Sequence, residues 1–276
     1  MFKRVLSLLG VLTFLVSCNS NNINNDTVAE KQFQAHNVTG SFAIWDNAKN
    51  VFEIYNLGRY RDSVYTPAST FKIFNSLVAL NTGRIFSDTV VVPWDGIVRT
   101  FPNGDTAYKW NKDMDMREAF KVSAVPFYQE MARRIGRDTM QYWLDSVKYG
   151  NMKIGDKIDE FWLNNTLKIT ADEQLGFVKR LYFKQLPFQN VVQDMVKDMM
   201  IQEKNDIYTL AYKTGWGNTT TGNELGWVVG WIEENKHIYF FVLNLETPDH
   251  KIDMDTVRKD LLNSILKEKG FFEGKR

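Results

Sequence analysis

The sequence predicts a mixed α/β fold of the α+β type, in which helices flank an antiparallel sheet and an all-helical lobe is inserted between its strands. Three observations support this prediction. Strand patterns are confined to the two outer parts of the chain, helical patterns fill the middle, and 44% of the 276 residues are hydrophobic. The outer segments can then form one sheet while the middle packs as a separate layer. The chain is long enough for one large domain.

The N-terminus has the features of an export signal. Two basic residues precede an apolar run from Val5 to Val16, which has the length of a signal-peptide core and is too short to span a bilayer. The run closes with Leu-Val-Ser-Cys at 15–18, which resembles a bacterial lipobox. We therefore predict a lipoprotein signal peptide at residues 1–17 and a lipid on Cys18.

Cys18 is the only cysteine of the chain. This excludes an intrachain disulfide and a cysteine-based metal site; the alternative role for Cys18 is a buried free thiol. The Asn-rich stretch that follows is too polar to bury, so residues 18–37 are predicted to be a flexible tether. The protein would be exported to the periplasm and held at a membrane through the lipid on Cys18.

The folded domain is predicted to span residues 38–276 and to begin with a β-hairpin. Ser41–Trp45 and Val51–Tyr55 are rich in aromatic and β-branched residues, and a polar turn joins them. The next helix is apolar on all sides, which predicts a central position in the fold. It ends near Gly83, a glycine C-cap signal.

Helical patterns dominate from Asp113 to Asp206, with glycine and proline between them. The lobe that they form is predicted to occupy roughly residues 84–205. Its helices are predicted at Met116–Val122, Pro126–Ile135, Asp138–Val147, Ala171–Gln185 and Val191–Gln202. Three antiparallel strands and a final helix follow, at Ile207–Lys213, Leu225–Glu233, Ile238–Leu245 and about Asp255–Lys269.

A serine and a lysine lie one helical turn apart in Ser69-Thr70-Phe71-Lys72. Residues at positions i and i+3 share one face of a helix. A buried, uncharged amine at Lys72 can take the proton of Ser69 Oγ and make it a nucleophile. By itself the tetrapeptide is a weak signal, because this spacing occurs by chance in most long chains.

Three further boxes follow in order along the chain: Ser123-Ala124-Val125, Tyr149-Gly150-Asn151 and Lys213-Thr214-Gly215. With Ser69-x-x-Lys72 they resemble the active-site boxes of class D (oxacillinase-type) β-lactamases, within the serine penicillin-recognising enzymes. The related class A set has Asn in the middle box, where this chain has Val125. The resemblance extends from about Ser41 onward and implies the fold shared by serine β-lactamases and penicillin-binding proteins.

The resemblance implies a role for each box residue in hydrolysis of the β-lactam ring, which gives antibiotic resistance. Ser69 would be the nucleophile, and the backbone amides of Ser69 and Trp216 would form the oxyanion hole. Lys72 would carry a CO2-derived carbamate and act as general base, in a pocket formed by Phe71, Val125 and Trp162. No other cofactor is implied.

The remaining roles concern the leaving group and the substrate. Ser123 would relay a proton to the lactam nitrogen, although a serine at this position can instead cap the helix that follows. Lys213 would supply positive potential. The substrate-binding positions would be Thr214, Gly215, Trp216 and Arg258. Of these, Thr214 and Arg258 would hold the substrate carboxylate, unless Arg258 is simply a solvated helix cation.

Tyr149, Gly150 and Asn151 would border and pack the site in the family, whereas alone they are typical of a turn.

His36, His237 and His250 have no metal-ligand spacing, so no metal site is predicted. The chain carries 34 basic and 33 acidic residues, which argues against a nucleic-acid partner. The oligomeric state is left open.

Two other functions share these boxes. A penicillin-sensing receptor domain would be acylated without turnover, and a D,D-peptidase would act on peptidoglycan. Sensors of this kind are usually fused to membrane-spanning signalling segments, and the apolar Val125 disfavours the peptidase. Turnover of a β-lactam by the purified protein distinguishes β-lactam hydrolysis from both alternatives.

Overall fold

A single sheet runs through the part of the chain that the computed structural model describes, residues 22–100 and 104–276. Its seven strands lie in the order β1-β3-β2-β7-β6-β5-β4. They are β1 (Ile23–Asn25), β2 (Thr39–Asp46), β3 (Val51–Tyr55), β4 (Ile201–Lys204), β5 (Tyr208–Asn218), β6 (Glu224–Glu234) and β7 (His237–Thr247). Only β1 pairs in parallel, with β3. The predicted antiparallel sheet is confirmed, with the hairpin β2–β3 and the meander β5–β7.

Helices flank this sheet. In chain order the helices of the described residues are α1 (Thr27–Ala35), α2 (Leu57–Asp62), α3 (Lys72–Asn81), α4 (Met116–Lys121), α5 (Val125–Ile135), α6 (Arg137–Val147), α7 (Ala171–Tyr182), α8 (Asn190–Met200) and α9 (Met254–Glu268). A 3-10 turn at Ala68–Phe71 leads into α3. The helices α4 to α8 lie between α3 and β4, as the predicted helical insertion requires.

Both faces of the sheet are covered by helices. Alternate residues of β2 point to opposite faces, as the two-residue period of a strand requires. Phe42 packs in the core formed with α1 and α9, whereas Ala43 packs in the larger core that contains α3, α5 and α7. The catalytic candidates Ser69 and Lys72 belong to the second face.

The prediction of a flexible tether at residues 18–37 is wrong for the part that the structure describes. Ile23–Asn25 form β1, and β1 pairs through main-chain groups that do not depend on side-chain polarity. Asp26 caps α1 by accepting a hydrogen bond from the Ala29 backbone N–H at 2.9 Å. It also pairs with Lys269 at 2.8 Å, with both side chains buried. Residues 1–17 and Cys18 lie outside the described residues.

Two boundaries of the sheet also differ from prediction. Helix α8 ends at Met200, and Ile201–Lys204 join the sheet as β4, although the helical lobe was expected to continue to about residue 205. Strand β5 continues to Asn218, beyond the predicted end at Lys213, because β6 pairs with it along its whole length. In the described ranges, no helix has the length and apolarity needed to cross a membrane.

Candidate active site

The proposed nucleophile lies in the 3-10 turn that precedes α3. Side chains three residues apart are aligned in a 3-10 helix, so Lys72 lies directly above Ser69. Its Nζ is 2.6 Å from Ser69 Oγ. Ala68 has a left-handed φ of 49°, which costs roughly 1–2 kcal/mol for a residue with a Cβ. Contacts around the turn must therefore hold it in place.

The Lys72 side chain is fully buried. Burial and, second, the positive charge of Arg258 lower the pKa of Lys72 to about 7. Loss of hydration disfavours the ammonium form, and a nearby cation disfavours it further. A substantial fraction of Lys72 is therefore a neutral amine near neutral pH, as a base acting on Ser69 requires.

The three residues predicted to form the lysine pocket differ in how deeply they are buried. Phe71 and Trp162 are completely buried and stack on each other at 5.2 Å between ring centroids. Val125 begins α5 and is only partly buried. The backbone carbonyl of Trp162 accepts hydrogen bonds from Thr66 Oγ1 at 2.8 Å and from the Ala68 N–H at 3.1 Å. Trp162 is thereby tied to the turn that carries Ser69.

The indole Nε1 of Trp162 is buried and has no hydrogen-bond partner among the described groups. A buried N–H without an acceptor costs about 1–3 kcal/mol, so such groups need an explanation. Trp162 stacks on Phe71, the residue before Lys72, so an acceptor on the lysine is one way to satisfy this donor. The donor, the apolar walls and the neutral amine together fit a carbamate on Lys72.

A second serine–lysine pair joins the helical lobe to the sheet. Lys213 Nζ donates to Ser123 Oγ at 3.0 Å. Ser123 has a left-handed φ of 55°, and this conformation turns the chain immediately before α5. The alternative role as a helix cap is not observed, because α5 begins after Ala124 without a side-chain cap. The Ser123 hydroxyl is instead a partner of Lys213.

Lys213 is buried, with 4% of its surface exposed. Burial, followed by the positive charges of Lys72 and Arg258, lowers the pKa of Lys213 well below its ordinary value. A lowered pKa makes the ammonium form of Lys213 a stronger acid, so it can pass its proton to Ser123 as Ser123 gives up its own. This second pair is suited to delivering a proton to a leaving group.

The edge of β5 faces the nucleophile turn. Strand β4 pairs only with Thr209–Ala211, so beyond Lys213 this edge has no strand partner in the described sheet. A Cβ on Gly215 would lie 3.0 Å from the Pro67 carbonyl oxygen, which shows how closely the two segments approach. Unpaired N–H groups of an edge are available to a ligand.

Trp216 and its neighbour across the hairpin form the outer part of this edge. Half of the Trp216 side chain is exposed. Its Nε1 donates to Glu224 at 2.6 Å, and Glu224 also contacts His250 Nδ1 at 3.0 Å. Glu224 was not predicted as a site residue, because its contacts with Trp216 and His250 form only in the folded sheet.

Arg258 projects from α9 to the back of β5. Its guanidinium donates to the Gly215 carbonyl oxygen at 2.7 Å and pairs with Asp255. Only 5% of Arg258 is exposed, so it is not a solvated helix cation. Thr214, the other residue predicted to hold a carboxylate, is half-buried on the adjoining stretch of β5.

The Tyr149-Gly150-Asn151 box supports the site from behind. Tyr149 is buried against Phe71, with ring centroids 5.7 Å apart. A Cβ on Gly150 would meet the Lys168 carbonyl oxygen at 2.2 Å, and φ is +53°, so this position requires glycine. Asn151 donates to Thr166 at 3.0 Å. The box thus fixes the segment that carries Trp162.

Gln174 is a buried polar residue near Ser69 that the sequence analysis did not single out. It lies in α7, and its Nε2 donates to Thr70 Oγ1 at 2.6 Å. A glutamine inside an otherwise apolar helical face was the available signal. Helix periodicity places Gln174 toward the core but does not show what it meets there.

The chain resembles known proteins over nearly its whole length. Residues 19–267 match the family model described as penicillin binding protein transpeptidase domain. The chain is 34% identical to β-lactamase OXA-5 of Pseudomonas aeruginosa over 99% of both proteins. The solved class D β-lactamase YbXI from Nostoc is 40% identical, with a TM-score of 0.81 over 88% of this chain and 98% of that one. The solved class D β-lactamase from Sebaldella termitidis is 32% identical, with a TM-score of 0.84 over 91% of this chain and 99% of that one.

Proposed function

The chain belongs to the class D serine β-lactamases, and from that membership we propose that it opens the β-lactam ring of penicillin-type antibiotics through an acyl ester on Ser69. The observation that carries this proposal is the 2.6 Å contact between Lys72 Nζ and Ser69 Oγ at a fully buried lysine. Hydrolysis of the drug is the basis of antibiotic resistance by this family.

Acylation would begin when Lys72 takes the proton of Ser69 Oγ, which attacks the lactam carbonyl carbon. The oxygen of that carbonyl becomes an oxyanion, and the backbone N–H groups of Ser69 and Trp216 would donate to it. One such donor contributes about 2.7–4 kcal/mol to transition-state stabilisation. The lactam C–N bond then breaks, and Ser123 would protonate the nitrogen while Lys213 replaces the proton on Ser123.

Deacylation needs a base for the attacking water. We propose that Lys72 carries a CO2-derived carbamate, which would supply a carboxylate-like base for both steps. The neutral fraction of Lys72 is the form able to react with CO2. Phe71 and Trp162 exclude water from the lysine, and the unpaired Trp162 N–H is a donor that would hold the modified side chain.

Turnover of nitrocefin by the purified protein tests the proposed function. A class D β-lactamase turns over many equivalents of substrate per enzyme. Release of a single equivalent, with a lasting acyl adduct, would instead identify a penicillin-sensing domain. Hydrolysis of peptidoglycan peptides without β-lactam turnover would identify a D,D-peptidase.

Replacement of Arg258 tests how the substrate carboxylate is bound. We propose that Arg258, with Thr214, holds this anion in both the ground state and the transition state. Arg258→Ala should then raise KM for benzylpenicillin about 10-fold or more, since a hydrogen bond to a charged group is worth about 1.5–3 kcal/mol. The value of kcat should fall less than KM rises, because the main loss is of uniform binding, although the charge of Arg258 also helps to lower the pKa of Lys72. Steady-state kinetics measure both constants.

Lys259→Ala is the matched control for this prediction. Lys259 is the next residue of α9 and pairs with the same carboxylate, Asp255, at 2.9 Å, but it is more exposed. Its loss should leave KM unchanged. A fall in kcat of Arg258→Ala at constant KM would show that Arg258 serves to hold the Gly215 carbonyl, and that Lys213 and Thr214 bind the anion.

The location of the enzyme is a separate proposal. We propose that Cys18 carries lipid and anchors the protein on the periplasmic side of a membrane. The support is the lipobox-like sequence at 15–18. Two or three acyl chains give stable anchoring, whereas one binds only marginally.

Membrane fractionation checks this proposal. The wild-type protein should sediment with membranes and Cys18→Ser should not, with equal nitrocefin turnover by both. Recovery of the wild type entirely in the soluble periplasmic fraction would show that the leader is an ordinary cleaved signal.

A further inference from the structure

Gln174 connects helix α7 to the nucleophile turn through a chain of buried hydrogen bonds. It has no exposed surface. Its Nε2 donates to Thr70 Oγ1 at 2.6 Å, and Thr70 Oγ1 donates to the Pro67 carbonyl oxygen at 2.7 Å. The hydroxyl of Tyr149 donates to Gln174 Oε1 at 3.5 Å. These hydrogen bonds therefore connect Tyr149 with Thr70 and Pro67, which lie on the two sides of Ser69.

The direction of each hydrogen bond is fixed by the groups at the two ends. The Thr70 hydroxyl has one proton, and the Pro67 carbonyl can only accept it. Thr70 must then accept its second hydrogen bond, and the amide NH2 of Gln174 is the donor. An ionised carboxylate in place of this amide cannot donate, and it would compete with Pro67 for the proton of Thr70.

The 3-10 turn that these hydrogen bonds stabilise has a strained backbone. Ala68 is left-handed, with φ at 49°, and its neighbour Ser69 supplies both the nucleophilic Oγ and one N–H of the proposed oxyanion hole. Such conformations persist only where surrounding contacts over-determine them. The bond from Thr70 to Pro67 closes the turn across Ala68 and Ser69, and Gln174 holds Thr70 in the rotamer that makes it.

The N-terminal end of α7, which carries Gln174, is held by its own hydrogen bonds. Thr170 and Glu173 form a reciprocal capping box at its N-terminus. Immediately before it, Ile169 and Tyr65 exchange two backbone hydrogen bonds at 2.9 and 3.0 Å. Gln174 therefore projects from a rigid support that is attached to the segment leading to Ser69.

We propose that Gln174 is a positioning residue for catalysis, which sets the orientation of Ser69 through Thr70 and the Pro67 carbonyl. The proposal rests on the proposed role of Ser69 as nucleophile. Misplacement of a reacting group by about 1 Å can cost roughly 100-fold in rate. None of these hydrogen bonds involves the side chain of Thr214 or Arg258, so the effect is expected mainly in kcat and less in KM.

The test is steady-state nitrocefin hydrolysis by Gln174→Met and Gln174→Glu. Methionine has a similar length but cannot donate to Thr70. Glutamate, once ionised at high pH, can only compete for the proton of Thr70. Both variants should lower kcat about 10- to 100-fold, with KM changed less than about threefold. Thr70→Val should lower kcat similarly, whereas Thr70→Ser keeps the hydroxyl and should restore most of the activity.

Gln193→Met is the matched control. Gln193 is also a fully buried helical glutamine, and its Nε2 donates to the carbonyl oxygens of Leu186 and Phe188 at 3.0 and 2.7 Å. These bonds brace a loop outside the active site. Gln193→Met should lower the melting temperature about as much as Gln174→Met but leave kcat close to that of the wild type.

Two outcomes separate failure of this inference from failure of the proposed function. Equal kcat for the Gln174 and Gln193 variants at equal loss of stability would overturn the positioning role while Ser69 remains the nucleophile. In the double variant Gln174→Met with Thr70→Val, kcat should fall no further than in either single variant. Multiplied effects would show that the two residues act independently, and would also overturn it.

Discussion

Replacing Ser69 with alanine should abolish β-lactam turnover. The substitution removes the only atom that can form the proposed acyl ester, and loss of the nucleophile in a serine hydrolase costs up to about 10⁶ in kcat. We expect nitrocefin hydrolysis to fall by at least roughly 10⁴-fold. The fold should be retained, because Ser69 is only partly buried and alanine fits its turn.

Intact-mass spectrometry gives a second, independent measurement. On long incubation, benzylpenicillin should leave a covalent adduct on the Lys72→Ala variant, which forms the ester slowly but does not clear it, and peptide mapping should place the adduct on Ser69. Ser69→Ala should show no adduct. An adduct on a different residue, or persistent turnover by Ser69→Ala, would falsify the mechanism.

Ser76→Ala is the control for loss of a buried hydroxyl from the same segment. Ser76 lies in α3, and its Oγ is 2.9 Å from the hydroxyl of Tyr128. It is fully buried, and its hydroxyl bonds to Tyr128 and not to Ser69 or to the Lys72 amine. Its removal should lower stability and leave kcat within a small factor of the wild type.

The second large effect is expected at Lys72. Lys72→Ala removes the general base and should slow turnover by about 10²–10⁴-fold. With a pKa of about 7, the wild-type lysine is protonated below neutral pH and unreactive toward CO2. Activity should therefore rise with pH through about 7, fall in acid, and increase on addition of bicarbonate. Kinetics at several bicarbonate concentrations measure this.

Labelling with 13C-bicarbonate gives a readout that does not depend on activity. A carbamate signal should be present in the wild type and absent from Lys72→Ala. Lys179→Ala serves as control, because burial also lowers the pKa of Lys179 but this lysine lies over Trp45, away from the site. Bicarbonate-independent turnover without a labelled carbamate would point to a plain amine base.

Trp162→Phe tests the role of the unpaired indole N–H. Phenylalanine keeps an aromatic ring to stack on Phe71 but cannot donate a hydrogen bond. The variant should need more bicarbonate for half-maximal activity and should regain turnover when bicarbonate is saturating. An unchanged bicarbonate dependence would show that Trp162 serves packing alone.

The elements that the sequence predicted well are those specified by local patterns. Runs of aromatic and β-branched residues indicated the strands of the β5–β7 meander, and the three-residue spacing of Ser69 and Lys72 placed their side chains on one helix face. Glycine and proline marked the helix ends in the lobe. Each of these signals is contained within a few neighbouring residues, so tertiary contacts were not needed to recognise it.

The elements that escaped prediction depend on partners far away in the chain. Strand β1 forms because β3 offers a free edge, and α1 is held partly by the pair of Asp26 with Lys269. A polar composition at residues 19–26 therefore indicated a tether where part of a sheet exists. The role of Gln174 is equally invisible locally, since Thr70 and Tyr149 reach it only in the folded protein.

The order of the strands bears on how an anchored enzyme would meet its substrate. Five strand spacings separate β1 from β5, or about 24 Å along the sheet. Only four residues lie between Cys18 and Ile23, which span at most about 18 Å when fully extended. A lipid on Cys18 would hold the β1 edge close to the bilayer and leave the cleft at the far side of the sheet. The anchor would then determine where the enzyme works without restricting the path of a dissolved drug to Ser69.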